Sequence, residues 1–323
     1  MSDKLLEVKN LHVEFQTEGG VIHAVNGVDL FLKPSEIVGL VGESGCGKSV
    51  TAFSFARLLP ETARITRGEI LLGENDVLHL HRAGLAEIRG KKIAYIFQEP
   101  ATSLNPIFTI GNQLFESIRT NRLPAGRQEE RDLALRALKK VGLPAPEELM
   151  NVYPHQLSGG MKQRAMIAMA LASGASLLIA DEPTTALDVT IQAQILSLLS
   201  ELKDTGGLTI LFITHDISLL SALSDRLYVM YAGRIVEDGP TREVIENPRH
   251  PYTQGLLACV PTLEGKKRKF PVIPGELPAG SRLPNGCLFY PRCSYAEEGC
   301  AVTEPGMIHI TEIHQARCPV INR

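Results

Sequence analysis

The eight residues GESGCGKS, from Gly42 to Ser49, constrain the fold of this 323-residue chain more than any other stretch. They match G-x-x-x-x-G-K-S and follow EIVGLVG, a short apolar run of the kind that forms a buried parallel strand. Glycines let backbone N–H groups wrap phosphates, and the run SVTAFSFARLL (49–59) predicts a helix directly after the loop. The pattern therefore predicts a nucleotide-phosphate loop between a strand and a helix.

This loop assigns chemistry to individual side chains. We expect Lys48 to reach the β- and γ-phosphates and the Ser49 hydroxyl to ligate Mg²⁺. Cys46 fills a variable position, and we expect no special role for its thiol. The predicted nucleotide-binding residues of this segment are Gly42, Glu43, Ser44, Gly45, Cys46, Gly47, Lys48, Ser49 and Val50.

A second element lies downstream, where the apolar run LLIADE (177–182) ends in two acids. Its position after a phosphate loop favours a catalytic interpretation over two solvated carboxylates. Asp181 suits the coordination shell of Mg²⁺, and Glu182 suits the general base that polarises the attacking water.

The order of predicted elements indicates an α/β fold. LLEVKNLHVEF and VIHAVNGVDLFL alternate apolar and polar residues, as half-buried antiparallel strands do. Strand signals return at SLLIADE, LTILFITHD and RLYVMYAG, and VTIQAQILSLLSELKDTG between the first two reads as an amphipathic helix ending at Gly206-Gly207. Such alternation predicts a mostly parallel sheet covered by helices.

Composition along the chain suggests three regions. Residues 1–98 and 174–240 carry the nucleotide motifs and form the predicted core. Residues 99–173 read as an inserted helical subdomain, and residues 241–323, rich in proline and glycine, read as a small accessory domain.

Charge and hydropathy limit the class of function. The formal net charge is −3 without a basic tail, which argues against a dedicated nucleic-acid binder. The start of the chain lacks the apolar core of a signal peptide, and no apolar run reaches the ~18–20 residues that span a bilayer. We therefore expect a soluble chain that reaches a membrane only through partners.

Further motifs resemble those of ABC-type ATPases. LSGGM (157–161) looks like that family's signature motif, and TTALD, ending at Asp188, looks like its D-loop. Gln98 in IFQEP resembles the Q-loop glutamine, and His215 in ITHD resembles the switch histidine. Phe15 lies where the family places an aromatic ring that stacks on adenine.

The resemblance implies roles for these residues. Glu182, His215 and Gln98 would be catalytic, with Gln98 also contacting Mg²⁺ beside Ser49 and Asp181. Ser158, Gly159, Gly160 and Asp188 would complete the ATP site of a second cassette. The implied fold is an α/β P-loop NTPase core of ABC type with a mixed sheet, an antiparallel β subdomain, an inserted helical subdomain and a small loop-rich C-terminal metal-binding domain.

Longer stretches narrow the resemblance. Four stretches are similar to the ATP-binding subunits of bacterial dipeptide/oligopeptide permeases: QEPATSLNP, YPHQLSGGM, ADEPTTALDVTIQAQIL and RHPYTQGLL. Related importers for nickel and glutathione share these sequence motifs. The implied function is to couple ATP binding and hydrolysis to peptide uptake at the cytoplasmic face of the membrane. The implied partners are a second, homologous ATP-binding subunit, two integral-membrane subunits and, indirectly, an extracytoplasmic peptide-binding protein.

The alternative class is a soluble ABC ATPase that acts on DNA or ribosomes. One cassette, no heptad array for a coiled coil and an acidic net charge weigh against it, and we expect no nucleic acid as a partner.

Four of the six cysteines lie near the end of the chain, at Cys287, Cys293, Cys300 and Cys318. Clustered thiols in a reducing compartment indicate a metal site rather than disulfides. Neither the close cysteine pairs of zinc fingers nor the ferredoxin run is present, so the spacing leaves zinc and iron–sulfur open. The permease resemblance includes this tail and implies a [4Fe–4S] cluster, with zinc as the second choice.

Overall fold

The computed structural model describes residues 3–97, 103–121, 124–185, 187–260 and 272–320. The chain divides into two compact units, of which the first comprises residues 1–79 and 213–323 and the second residues 80–212. The two units are defined by contacts between residues, and they do not test the boundaries of the three regions suggested by the sequence. Those boundaries stay a prediction.

The strands, in chain order, are β1 (Leu6–Thr17), β2 (Gly20–Leu32), β3 (Ile37–Val41), β4 (Ala63–Leu72), β5 (Asn75–Asp76), β6 (Ile93–Ile96), β7 (Leu177–Asp181), β8 (Thr209–Thr214), β9 (Arg226–Tyr231), β10 (Arg234–Pro240), β11 (Ile308–His309) and β12 (Gln315–Ala316). The described helices are α1 (Lys48–Ser54), α2 (Arg82–Ile88), α3 (Ile110–Asn121), α4 (Arg127–Lys140), α5 (Pro146–Leu149), α6 (Gly159–Ser173), α7 (Val189–Gly206), α8 (Ile217–Leu223), α9 (Thr241–Glu246), α10 (Pro251–Ala258) and α11 (Glu298–Val302). Short 3₁₀ turns occur at Val77–His79, Pro154–Gln156 and Tyr290–Arg292.

The first unit contains an antiparallel sheet in the order β2-β1-β4-β5. Its first two strands pair antiparallel, with Leu6 opposite Leu32 and Val13 opposite Val25, and all four of these side chains are buried. The predicted antiparallel strands at the start of the chain are therefore confirmed.

The same unit contains a group of strands with mixed directions. All five residues of β3 are buried, and β3 runs parallel to β9. Strand β9 runs antiparallel to β10, whose other edge pairs with β12. The predicted buried parallel strand before the phosphate loop and the mixed sheet are both confirmed.

Helix α1 is shorter than the sequence predicts. It ends at Ser54 rather than near Leu59, because Arg57 adopts a left-handed conformation with φ of 51°. The amide of Leu58 donates to the carbonyl of Phe53, the bond that closes a Schellman turn. The apolar pattern extended the prediction, but this turn stops the helix.

In the second unit, α6 packs against α3 and α4, and β6 runs parallel to β7. Helix α7 matches its prediction closely, since it ends at Gly206 with Gly207 as a left-handed cap. Its apolar face buries Ile195, Leu198 and Leu202. The amphipathic spacing identified this helix correctly.

Within the first unit, the last part of the chain contains a small hairpin. Strands β11 and β12 pair antiparallel, and β12 adds to the edge of β10. Among the described residues, no helix combines the length and the apolar character that crossing a membrane requires.

Candidate nucleotide site and cysteine-lined cavity

The phosphate loop has a backbone that only glycine accommodates at key positions. Gly45 and Gly47 have φ of 81° and 107°, in the left-handed region. A Cβ on Gly42 would lie 2.1 Å from the carbonyl oxygen of Met230, and one on Gly47 would lie 2.4 Å from that of Ala24. The neighbouring main chain therefore fixes the path of the loop.

Lys48 closes this loop. Its ammonium group donates hydrogen bonds to the carbonyl oxygens of Gly42 (2.7 Å) and Glu43 (2.9 Å), and the residue is only 5% exposed. Ser44 and Gly45, at the tip, are exposed, and Ser49 is half-buried. A buried cation beneath an exposed glycine-rich tip is an arrangement suited to phosphate.

Cys46 is buried below the loop, with its Sγ atom 3.8 Å from the Lys48 ammonium. Burial raises the pKa of this thiol, although Lys48 opposes the rise. A buried, protonated thiol acts as a small apolar side chain. The place of Cys46 among the nucleotide-binding residues stays a prediction.

Two further predicted residues belong to the first unit. His215 is exposed directly after β8, and the next residue, Asp216, caps helix α8 by accepting from the amide of Ser218 at 2.8 Å. Phe15 is half-buried on β1 rather than part of the core. Both side chains are accessible, as the predicted contacts with a nucleotide require.

The predicted acids lie in the second unit, at the carboxyl end of β7. Asp181 is the buried last residue of that strand, and Glu182 follows with φ of 47°, a left-handed conformation that is strained for an L-residue. The Thr185 hydroxyl donates to the Glu182 carboxylate at 2.9 Å. Backbone strain of this kind concentrates at functional sites.

The structure brings the signature and D-loop residues together. Ser158 caps helix α6, and the following glycines face the start of α7: a Cβ on Gly159 would lie 3.6 Å from Leu187, and one on Gly160 would lie 2.8 Å from Ile191. Asp188 caps α7 by accepting from the amide of Ile191 at 2.9 Å. Ser158, Gly159 and Asp188 are exposed, so a second molecule can reach this corner.

Gln98, predicted as the Q-loop residue, lies outside the described residues.

Two residues contact the phosphate loop without having been predicted. The Tyr252 hydroxyl accepts from the amide of Glu43 at 2.8 Å, and Arg292 forms an ion pair with the Glu43 carboxylate. Both come from the C-terminal part of the chain. Tyr252 lies in RHPYTQGLL, which is similar to the permease subunits, and Arg292 lies in the cysteine-bearing tail. No spacing rule links either residue to a loop so distant in sequence.

The four clustered cysteines line one cavity of about 260 Å³. Burial raises the pKa of Cys287 and of Cys293, and the neighbouring thiols of Cys300 and Cys318 raise both further. Across the described ranges, no three His, Cys, Asp or Glu side chains converge closely enough to hold a single metal ion. The predicted thiols therefore share a cavity without converging on one point.

Two family models match the chain. "ABC transporter" matches residues 25–185, which include the phosphate loop, the signature segment and the two acids at the carboxyl end of β7. "Oligopeptide/dipeptide transporter, C-terminal region" matches residues 236–300, which include Tyr252, Arg292 and three of the four clustered cysteines.

Curated relatives cover nearly the whole chain. A peptide import ATP-binding protein of Brucella ovis is 48% identical over 326 residues, which cover 97% of this chain and 96% of that protein. Another, from Brucella melitensis, is 46% identical over 315 residues, covering 98% and 94%.

Solved structures match the cassette. A dimeric ATP-binding cassette in a post-hydrolysis state, bound to ADP and phosphate, is 31% identical with a TM-score of 0.66 and covers 73% of this chain and 99% of its own. A Clostridium perfringens protein from an ABC transporter complex is 30% identical with a TM-score of 0.66, covering 76% and 92%. This chain therefore belongs to the ABC transporter family, among the ATP-binding proteins that carry the oligopeptide/dipeptide transporter C-terminal region.

Proposed function

We propose that this chain is the ATP-hydrolysing subunit of an ABC importer for dipeptides or oligopeptides. The observation that carries the proposal is the combination, on one chain, of a phosphate loop closed by Lys48 with a C-terminal region typical of oligopeptide/dipeptide transporters. The relatives' names, which specify peptide import, support the choice of substrate.

In the proposed reaction, Lys48 and the loop amides bind the β- and γ-phosphates. Ser49 and Asp181 would hold Mg²⁺, which would neutralise charge on the phosphates. The Glu182 carboxylate takes a proton from water as the water oxygen bonds to the γ-phosphorus, and the bond from that phosphorus to the ADP oxygen breaks. His215 contacts the γ-phosphate, and Phe15 stacks on adenine. Catalysis rests on positioning and charge, because no covalent enzyme intermediate is needed.

The proposed assembly contains a second cassette. The exposed corner formed by Ser158, Gly159, Gly160 and Asp188 suits contact with the nucleotide of that partner. The match to a cassette structure that is itself dimeric supports this proposal. Two integral-membrane subunits would supply the passage for the peptide and hold this chain at the cytoplasmic face of the membrane, with an extracytoplasmic protein delivering the cargo.

Transport by the reconstituted assembly tests the proposal. The chain, its companion cassette and the membrane subunits are placed in vesicles with the peptide-binding protein outside and ATP inside. We expect uptake of labelled dipeptide or oligopeptide that depends on ATP and is lost with Lys48→Ala. Uptake of nickel or glutathione with no peptide uptake would refute the peptide assignment and favour the related importers.

We further propose that Cys287, Cys293, Cys300 and Cys318 hold a [4Fe–4S] cluster. Four thiols around a cavity of about 260 Å³ fit a group with several iron atoms, each bound by one cysteine. The alternative is zinc, with the same four thiols as its ligands. When bound, the cluster would supply folding energy to a segment with little regular structure.

Anaerobic purification followed by visible absorption and by iron, sulfide and zinc analysis tests the cluster. We expect a brown protein with about four irons and four sulfides per chain. A colourless protein with one zinc per chain would instead establish the zinc alternative. Cys259→Ser is the matched control, because Cys259 does not line the cavity and its replacement leaves the metal content unchanged.

A further inference from the structure

Arg292 connects the cysteine-lined segment to the phosphate loop. It is the last residue of the 3₁₀ turn Tyr290–Arg292, between Cys287 and Cys293. Its two terminal nitrogens donate to the two oxygens of Glu43 at 2.9 and 3.0 Å, which forms a bidentate ion pair. The pair is largely shielded, since the side chain of Arg292 is 6% exposed and that of Glu43 is 27% exposed.

The guanidinium group is held from other directions as well. Its Nε donates to the carbonyl oxygen of Pro274 at 2.7 Å, and Nη1 reaches the Tyr231 hydroxyl at 3.4 Å. The neighbouring Phe289 ring packs edge-on against Tyr231, with centroids 5.2 Å apart. Packing and hydrogen bonds therefore hold the Arg292 guanidinium group in one orientation towards the Glu43 carboxylate.

Glu43 is the second residue of the phosphate loop, and its backbone lies at the centre of the loop's bonding. Its carbonyl oxygen accepts from the Lys48 ammonium (2.9 Å) and from the amide of Cys46 (3.2 Å). Its amide donates to the Tyr252 hydroxyl at 2.8 Å. A side chain that fixes Glu43 therefore also fixes the position of Lys48.

Charge adds to this effect. A carboxylate on a phosphate loop repels a triphosphate unless a cation pairs with it, and Arg292 is that cation in this structure. The loop thus depends on the C-terminal segment both for its shape and for the balance of its charge.

We propose that Arg292 is a positioning residue for ATP: by holding and neutralising Glu43, it sets the geometry of Lys48 and so the affinity of the loop for the β- and γ-phosphates. As a consequence, the segment that bears Cys287 and Cys293 influences ATP binding at the phosphate loop, which lies in the same unit. The proposal rests on the proposed function, in that ATP binds at this loop.

The test measures the dissociation constants of Mg·ATP and of AMP for the purified full-length chain by calorimetric titration. We expect Arg292→Gln to weaken ATP about tenfold, equivalent to about 1.4 kcal/mol, and to leave AMP unchanged, because AMP lacks the phosphates that Lys48 binds. Arg292→Lys keeps the charge but not the fork, so its loss is intermediate.

Glu43→Gln approaches the same pair from the loop and leaves the C-terminal segment intact. If the two residues act as one unit, Arg292→Gln/Glu43→Gln binds ATP no worse than Arg292→Gln alone. Glu246→Gln is the control, since it removes the 2.9 Å ion pair with Arg242 within helix α9, a pair that does not include a residue of the phosphate loop. It leaves ATP affinity unchanged.

The outcomes separate the proposals. Circular dichroism first establishes that Arg292→Gln is folded. If its dissociation constant for ATP is then within twofold of that of the unchanged chain, while Lys48→Ala no longer binds ATP, the positioning role is wrong and the assignment of the ATP site stands. Additive losses in the double variant, or equal losses of ATP and AMP, also overturn the positioning role. If Lys48→Ala binds ATP normally, the assignment of the ATP site itself fails.

Discussion

His250 provides a pH-dependent test of the packing around helix α10 within the first unit. The residue is buried, and its Nδ1 atom accepts from the amide of Tyr252 at 3.1 Å, which caps helix α10. Complete burial lowers the pKa of His250 from 6.5 to about 4; Glu237 favours the protonated form, and Arg317 opposes it. The hydrogen bond agrees with this direction, because only a neutral Nδ1 can accept.

The sign of the effect follows from proton binding. Below pH 6.5 the unfolded chain binds a proton at His250, whereas the folded chain binds one only near pH 4. The stabilisation is therefore complete above pH 6.5 and is lost as the pH falls towards 4. Each pH unit in this window is worth ~1.4 kcal/mol, so lowering the pH from 7 to 5 costs about 2 kcal/mol through this one residue.

Urea unfolding of the unchanged chain and of His250→Asn, followed by circular dichroism at pH 7 and pH 5, measures this term. Asparagine keeps a capping acceptor but does not titrate, so we expect His250→Asn to lose about 2 kcal/mol less between the two pH values. His81→Asn is the control, since His81 is an exposed N-cap without a capping hydrogen bond. Equal pH dependence in His250→Asn and the unchanged chain would refute the argument.

Other predictions follow from single positions. Gly47→Ala forces a Cβ against a carbonyl oxygen at 2.4 Å and weakens Mg·ATP at least ~10-fold in a titration, whereas Gly73→Ala, with φ of 59° in open space, costs ~1–2 kcal/mol of stability and leaves ATP affinity unchanged. Gln163, fully buried in α6 with both amide atoms unpartnered, is replaced favourably: Gln163→Met raises the unfolding free energy by ~1–2 kcal/mol in urea, and a loss of stability would contradict this reasoning. If Cys293 binds the proposed cluster, Cys293→Ser, beside Arg292, is expected to lower both the iron content and the affinity for ATP; unchanged ATP affinity in iron-free protein would show that the two sites are not coupled.

The sequence was most informative for elements whose structure is determined by residues close together in the chain. The phosphate loop needs glycines at fixed distances from Lys48, and the structure shows why, since main-chain carbonyls approach Gly42 and Gly47. Helix α7 was predictable because an apolar period of 3.6 and a terminal glycine pair are both local signals. Helix α1 was overestimated because an apolar run does not reveal the left-handed residue Arg57.

Long-range contacts were beyond such reasoning. Arg292 and Glu43 are 249 positions apart, and no periodicity connects an arginine in a proline-rich tail to an acid in a loop. The spacing of the cysteines likewise did not predict that they line one cavity. A turn and a hydrogen bond from the amide of Cys287 to the carbonyl of Cys300 bring them together, and neither can be read from the spacing. The left-handed backbone of Glu182 is set by its surroundings and not by its own preference.

The central claim is that Glu182 drives the hydrolysis of an ATP bound by this chain, and Glu182→Gln in the reconstituted importer tests it most directly. Glutamine keeps the size of the side chain and an acceptor for the Thr185 hydroxyl, but it cannot take a proton from water. We predict that Mg·ATP affinity stays within about threefold while steady-state hydrolysis and peptide uptake fall at least ~100-fold. Hydrolysis at the unchanged rate, or loss of ATP binding together with hydrolysis, would contradict the claim.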